Sequence, residues 1–210
     1  MSDAKTELLA RVRDALGQGA PPPPAVPRGY RGAGVFDGGD AVERFCERVR
    51  DYGAGLQRLS DADLEAGIAE RCGALGVERL AVPPEMPWSV AGVELVPDDP
   101  PLAARTLDSL GAALTGCALA IAETGTIVLD GTGVCGRRAL TLVPDIHLCV
   151  VRESEVVATV PDAIERLAPA AREGRPLTLV SGPSATSDIE LERVEGVHGP
   201  RTLELFVVPS

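Results

Sequence analysis

Aromatic residues, clustered cysteines and basic charge are all scarce in this sequence. Aromatics make up 3% of the 210 residues. The core must therefore be built mainly from Val, Leu, Ile and Ala. The five cysteines are Cys46, Cys72, Cys117, Cys135 and Cys149, and none forms a CxxC pair. Neither a structural zinc site nor a ferredoxin-like iron–sulfur site is signalled, and the odd count argues against an oxidised, secreted framework. The net charge of -11 argues against general nucleic-acid binding, which needs a basic face to displace counterions, and against adsorption to anionic membrane. A local basic cluster can still hold a small anion. No apolar run reaches about 18 residues, so no membrane span is expected. The N-terminal stretch MSDAKTELLARVRDAL is charged throughout and lacks the apolar centre of a signal peptide. A cytoplasmic location is expected.

What is present suits one α/β domain with two short additions. A chain of this length buries about two thirds of its unfolded surface without disulfides or structural metal. Residues 1–17 read as an amphipathic helix, with Leu8, Leu9, Val12 and Leu16 at helical spacing. Residues 18–40 read as a Pro/Gly-rich linker. The two segments form either a helix that docks on a partner subunit or a disordered tail. The body is expected over residues 41–210. Helices are predicted at 41–51, 61–75, 102–111 and 161–170, with a short one over 187–194. Strands are predicted at 78–82, 93–96, 119–122, 126–129, 140–143, 148–151, a buried 177–180 and 203–208. This alternation predicts an α/β fold with a mixed, largely parallel sheet covered by helices on both faces. The strands between 119 and 151 are too closely spaced for helical crossovers, so part of the sheet must be antiparallel.

Four segments can carry chemistry. In LAIAETGTIVLD, Glu123 ends an apolar strand, the position where open α/β sheets bind ligands. Gly125 permits a tight turn, and Thr124 and Thr126 can help hold a carboxylate or phosphate. Glu123 then serves as base or nucleophile. The other reading is a hairpin turn with a solvated glutamate. GTGVCG, residues 131–136, matches GxGxxG, but the segment after it reads as a strand and not as the helix a dinucleotide site requires. With Arg137 and Arg138 beside it, the loop is either an anion cradle or a flexible connection. His147, one of two histidines, lies between apolar runs. It is a proton carrier, an orienting donor or a satisfied half-buried side chain. Finally, Ser181, Gly182, Ser184, Thr186 and Asp188 follow a strand, and His198 marks a second compact turn. They serve either as anion donors or as turn and cap residues.

Taken together, these blocks resemble LutC/YkgG-type proteins of the lactate-utilisation (LUD) domain family. The resemblance rests on LAIAETGTIVLD, RRALTLVPDIHLCVV and SGPSATSDIELERVEGVHGPRTLELFVV, preceded by DSLGAALTGC, in order across residues 41–208. It carries over Glu123 to Thr126, His147, Ser181 to Ser184, Thr186, Asp188, Glu190 and His198 to Pro200 as positions that match the family's blocks, a surface and not a mechanism. It implies a fold similar to the NagB/RpiA/CoA-transferase superfamily. It also implies a component of a multi-subunit system for L-lactate oxidation to pyruvate. That component binds a small carboxylate or phosphorylated ligand, or organises redox partners. No redox cofactor is expected in this chain, and iron–sulfur clusters are expected in LutA-like and LutB-like partner subunits. Two alternatives stand beside this one: an independent isomerase or acyl-transfer enzyme using Glu123, and a non-catalytic assembly module.

Overall fold

The computed structural model describes residues 3–17, 24–30, 32–34, 39–187, 193–195 and 198–209. Two compact units divide the chain, Met1–Tyr30 and Arg31–Ser210. The first contains helix α1 (Asp3–Leu16), along which Leu8, Leu9, Val12 and Leu16 are exposed. Among the described residues no helix is long and apolar enough to cross a membrane.

The second unit opens with α2 (Ala41–Asp51). Asp40 caps it, its carboxylate accepting the N–H groups of Val42 and Glu43 at 2.8 and 3.1 Å. Then come β1 (Gly55–Arg58), α3 (Leu64–Leu75), β2 (Arg79–Val82), β3 (Glu94–Pro97) and α4 (Ala104–Leu110). They are followed by β4 (Ala112–Gly116), β5 (Leu119–Ile121), β6 (Thr126–Leu129), β7 (Ile146–Arg152) and β8 (Val156–Val157). The chain closes with α5 (Val160–Arg172), β9 (Thr178–Val180), β10 (Ala185–Ser187), β11 (Arg193–Glu195) and β12 (Thr202–Val208).

The main sheet has six strands in the order β1-β12-β7-β4-β2-β3, and every pairing in it is parallel. Helices cover both faces, as a parallel sheet requires. On one face α3 buries Leu64, Ile68 and Cys72 against Leu80, Leu114, Leu148, Val150 and Phe206. On the other, α2 packs Phe45, Cys46 and Val49 against Cys149, Val151, Leu205 and Val207, while α4 packs Leu107 and Leu110 against Ala81 and Ala113. The two faces follow from the period of two along each strand: Cys149 and Val151 of β7 point one way, Leu148 and Val150 the other.

The antiparallel pairing expected between 119 and 151 is present, but in a separate sheet of order β8-β5-β6-β9. Its alternation explains its place. Ala120, Ile127 and Leu129 face inward to the layer under α2, and Leu119, Ile121 and Val128 face outward to Ala163 and Leu167 of α5.

Several expectations are corrected. Residues 140–143 are not a strand. Arg138–Thr141 forms a 3-10 turn that tucks Leu140 beneath α4. Both edges of β7 are already taken by β4 and β12, so no strand can add there. Strand β9 is not buried, since Leu179 stands exposed at the sheet edge. Instead of a helix over 187–194, β10 and β11 pair as an antiparallel hairpin, with Ala185 opposite Glu195. Residues 188–192 between them lie outside the described residues. Strand β4 escapes sequence reading because Ala112-Ala113-Leu114-Thr115-Gly116 has little strand propensity, yet all five residues are buried in the middle of the sheet.

The β5–β6 turn is pressed onto α2. Gly125 has φ +62°, and a Cβ there would stand 2.6 Å from Cβ of Arg48 and 2.8 Å from the backbone N of Val49. The left-handed backbone alone disfavours a side chain by roughly 1–2 kcal/mol, and the contact adds to that. Gly125→Ala is therefore expected to destabilise the protein by more than about 2 kcal/mol in urea unfolding. A loss below about 0.5 kcal/mol would show that the turn is not held against the helix.

Candidate functional site

Because β7 and β12 run parallel in full register, from Ile146 opposite Thr202 to Arg152 opposite Val208, the loops that enter them lie side by side. Asp145 and Arg201 lock these loops together through two contacts of 2.7 Å, and the Thr202 N–H donates to the Asp145 carbonyl at 3.1 Å. Against this amino-terminal edge of the sheet stands β9 with the segment that follows it. Together they enclose a cavity of about 260 Å³. Arg138, Thr141, His147, Ser181, Ser184 and His198 line it. The segment after β9 is drawn in by Gly182, whose φ of +84° and closeness to Tyr52 (2.8 Å from a Cβ placed there) leave no room for a side chain. Ser184 joins it to the loop before β12. Its N–H donates to the Pro200 carbonyl at 2.8 Å, and its hydroxyl accepts the His198 N–H at 3.2 Å.

His147 is 1% exposed and forms part of the cavity wall. Its Nε2 lies 2.8 Å from the hydroxyl of Thr115 on β4. Burial, together with the nearby Arg138 cation, pushes its pKa down to about 3. The imidazole is therefore neutral at physiological pH. Arg138 is half-buried, and burial lowers its pKa from the usual arginine value, but the guanidinium stays charged. It donates to Thr141 Oγ1 at 3.0 Å and to the His198 carbonyl at 3.5 Å. Among the described residues it has no carboxylate partner. A partly desolvated cation without a counter-charge among the described residues, rimmed by hydroxyls, is what a small-anion site requires.

The Glu123-Thr124-Gly125-Thr126 turn adjoins this cavity without placing its glutamate in it. Thr126 Oγ1 lies 2.7 Å from Thr124 Oγ1 and 2.7 Å from Ser181 Oγ, so a chain of three hydroxyls joins turn and cavity. Glu123 lines a neighbouring hollow with Arg48, Asp51 and Tyr52. Its carboxylate accepts the N–H of Val160, the first residue of α5, at 3.3 Å. An anion there complements the helix dipole. Arg137 does not face the cavity. It is held bidentate by buried Asp98 at 2.5 and 2.9 Å and donates to the Leu102 carbonyl at 2.5 Å. The glycine loop 131–136 lies on that side, with Asp98 and Arg137. Thr186 is placed in β10 by its backbone, and Asp188 lies outside the described residues. Among the described residues no group of three His, Cys, Asp or Glu side chains is arranged to hold a metal ion. Thr141 and Thr115 were not anticipated. The first sits in a stretch that reads as a strand, the second in the Ala-rich DSLGAALTGC block, where no chemistry marks the threonine as a site residue.

The sequence matches the LUD domain family over residues 42–208. It is 46% identical to "Lactate utilization protein C" of Deinococcus radiodurans over 212 aligned positions, covering 99% of this chain and 96% of that protein. The Escherichia coli protein YkgG is 28% identical, over 77% of this chain and 64% of its own length. Among solved structures, a crystal structure of a DUF162 family protein from Deinococcus radiodurans superposes with a TM-score of 0.71 at 44% identity, over 80% of this chain and 96% of that one.

The buried imidazole makes stability depend on pH. The folded-state pKa of His147 (about 3) lies below its ordinary value of 6.5, so its contribution is fully present above pH 6.5. It is lost as pH falls from there towards 3, because only the unfolded chain gains the proton. The loss is on the order of 5 kcal/mol at about 1.4 kcal/mol per pKa unit. His147→Gln should flatten the stability profile between pH 6.5 and 4 relative to the wild type. Parallel profiles for the two proteins would contradict the neutral, buried assignment.

Proposed function

We propose, from the fact that this chain belongs to the LUD domain family, that it is the carboxylate-holding component of a lactate-utilisation system. Relatives that carry the name "Lactate utilization protein C" support the pathway. Support for the ligand comes from one observation: Arg138, half-buried and without a carboxylate partner among the described residues, beside neutral His147 and the Ser181 and Ser184 hydroxyls. The cavity of about 260 Å³ is just below the usual range for ligand pockets, about 300–1,000 Å³, which suits a molecule of lactate or pyruvate size. On this reading the chain binds and orients the small acid, and iron–sulfur subunits resembling LutA and LutB carry the electrons. The acyl-transfer alternative draws less support, because Glu123 lines the neighbouring hollow and its carboxylate is engaged at the start of α5.

Calorimetric titration of the full chain with pyruvate and L-lactate tests the ligand. Arg138→Met is expected to weaken binding at least tenfold, the effect of losing one charge-assisted hydrogen bond of about 1.5–3 kcal/mol. Equal affinities for wild type and variant would rule out Arg138 as the anchor.

Docking to those subunits is assigned to α1, with its exposed Leu8, Leu9, Val12 and Leu16. Deleting residues 1–30 is expected to abolish co-purification with LutA- and LutB-like subunits while leaving the thermal unfolding of the second unit unchanged. Undiminished co-purification would remove α1 from this role.

A further inference from the structure

The hydroxyl of Thr115 sits where it decides which nitrogen of His147 carries the proton. Thr115 is fully buried in β4, and His147 Nε2, at 2.8 Å, is the one hydrogen-bond partner of its hydroxyl among the described residues. Two arrangements satisfy that distance. If Nε2–H donates to the hydroxyl oxygen, the hydroxyl hydrogen is left in the core without an acceptor. If the hydroxyl donates to Nε2, its hydrogen is used, and the one imidazole hydrogen is left on the ring nitrogen that does not face Thr115. A buried donor without a partner is strongly disfavoured, so the second arrangement prevails. It leaves the imidazole hydrogen on Nδ1.

Nδ1 has no partner among the described residues. With Nε2 taken by Thr115, it is the ring nitrogen left to meet the cavity that His147 lines. The Arg138 cation and the Ser181 and Ser184 hydroxyls line the same cavity.

We propose that Thr115 is a positioning residue that locks His147 in the Nδ1–H tautomer, so that the cavity presents a neutral N–H donor to an acceptor oxygen of a monoanionic carboxylate held by Arg138. This rests on the carboxylate reading above and deepens it. One fixed cation balances one negative charge, which suits a carboxylate better than a dianionic phosphate. A donor at Nδ1 also defines what His147 does: it orients an oxygen and does not take a proton from it. The matching ligand is a small acid with a second acceptor oxygen close to its carboxylate, as in a 2-oxo acid.

The chain has only two histidines, so histidine labelled with nitrogen-15 gives a readable spectrum of the full-length protein. A His198→Gln variant assigns the remaining signals to His147. The wild type is expected to show a protonated-type Nδ1 and a lone-pair-type Nε2. Thr115→Val, which keeps the shape and removes the hydroxyl, is expected to lose that single tautomer and to bind pyruvate about fivefold to tenfold more weakly. Thr115→Ser should restore both. A wild-type spectrum with the proton on Nε2, or a Thr115→Val spectrum unchanged from it, overturns the proposal. Where Thr115→Val fails to fold, the wild-type tautomer decides alone. An Nδ1–H tautomer in a protein that binds neither pyruvate nor L-lactate overturns the carboxylate reading instead, and leaves Thr115 setting the tautomer.

Discussion

The seven-residue parallel ladder between β7 and β12 is the constraint on which the site depends. Parallel pairing brings like ends together, so the segment entering β7 and the segment entering β12 must meet. Arg138 and Thr141 arrive on the first, and His198 to Pro200 on the second. The Asp145–Arg201 pair bridges the two segments at the surface. His147, the second residue of β7, then stands at the base of the cavity with the sheet's core behind it. Its neutrality is a product of this position, because the same burial that packs the strand removes the water an imidazolium needs.

Much of this architecture is legible in the sequence, for identifiable reasons. The helices predicted at 41–51 and 161–170 have apolar residues at helical spacing, and the structure places them at Ala41–Asp51 and Val160–Arg172. The fully apolar runs near 148–151 and 203–208 read as buried parallel strands and prove to be β7 and β12. Elements defined by tertiary context are not legible. Strand β4 has a composition of Ala, Leu, Thr and Gly that its neighbours alone make a strand. The Arg138–Thr141 turn has an alternating pattern that would suit a strand if a free sheet edge existed for it.

The site shows the same division. Histidine and the Ser- and Gly-rich segments stand out by residue type, and His147, Ser181, Gly182, Ser184 and His198 line one cavity with Arg138. What residue type cannot tell is direction. Arg137 and Arg138 are adjacent and chemically identical, yet one is consumed by Asp98 and the other faces the cavity. Glu123 is the most reactive-looking group of its turn, yet its carboxylate holds the start of α5. The threonines beside it make the connection to the cavity.

That connection has a property of its own. Thr124, Thr126 and Ser181 each own a single hydroxyl hydrogen, and Thr126, 3% exposed, has both of the others within 2.7 Å. Thr126 can satisfy itself only by giving to one neighbour and taking from the other. The three dipoles must therefore align, and only two alignments exist. An acceptor that takes the Ser181 hydrogen leaves one of them, in which Thr124 gives to Thr126 and Thr126 gives to Ser181. The direction of the Thr124 hydroxyl, in the lining of the second hollow, is therefore tied to what Ser181 does in the first.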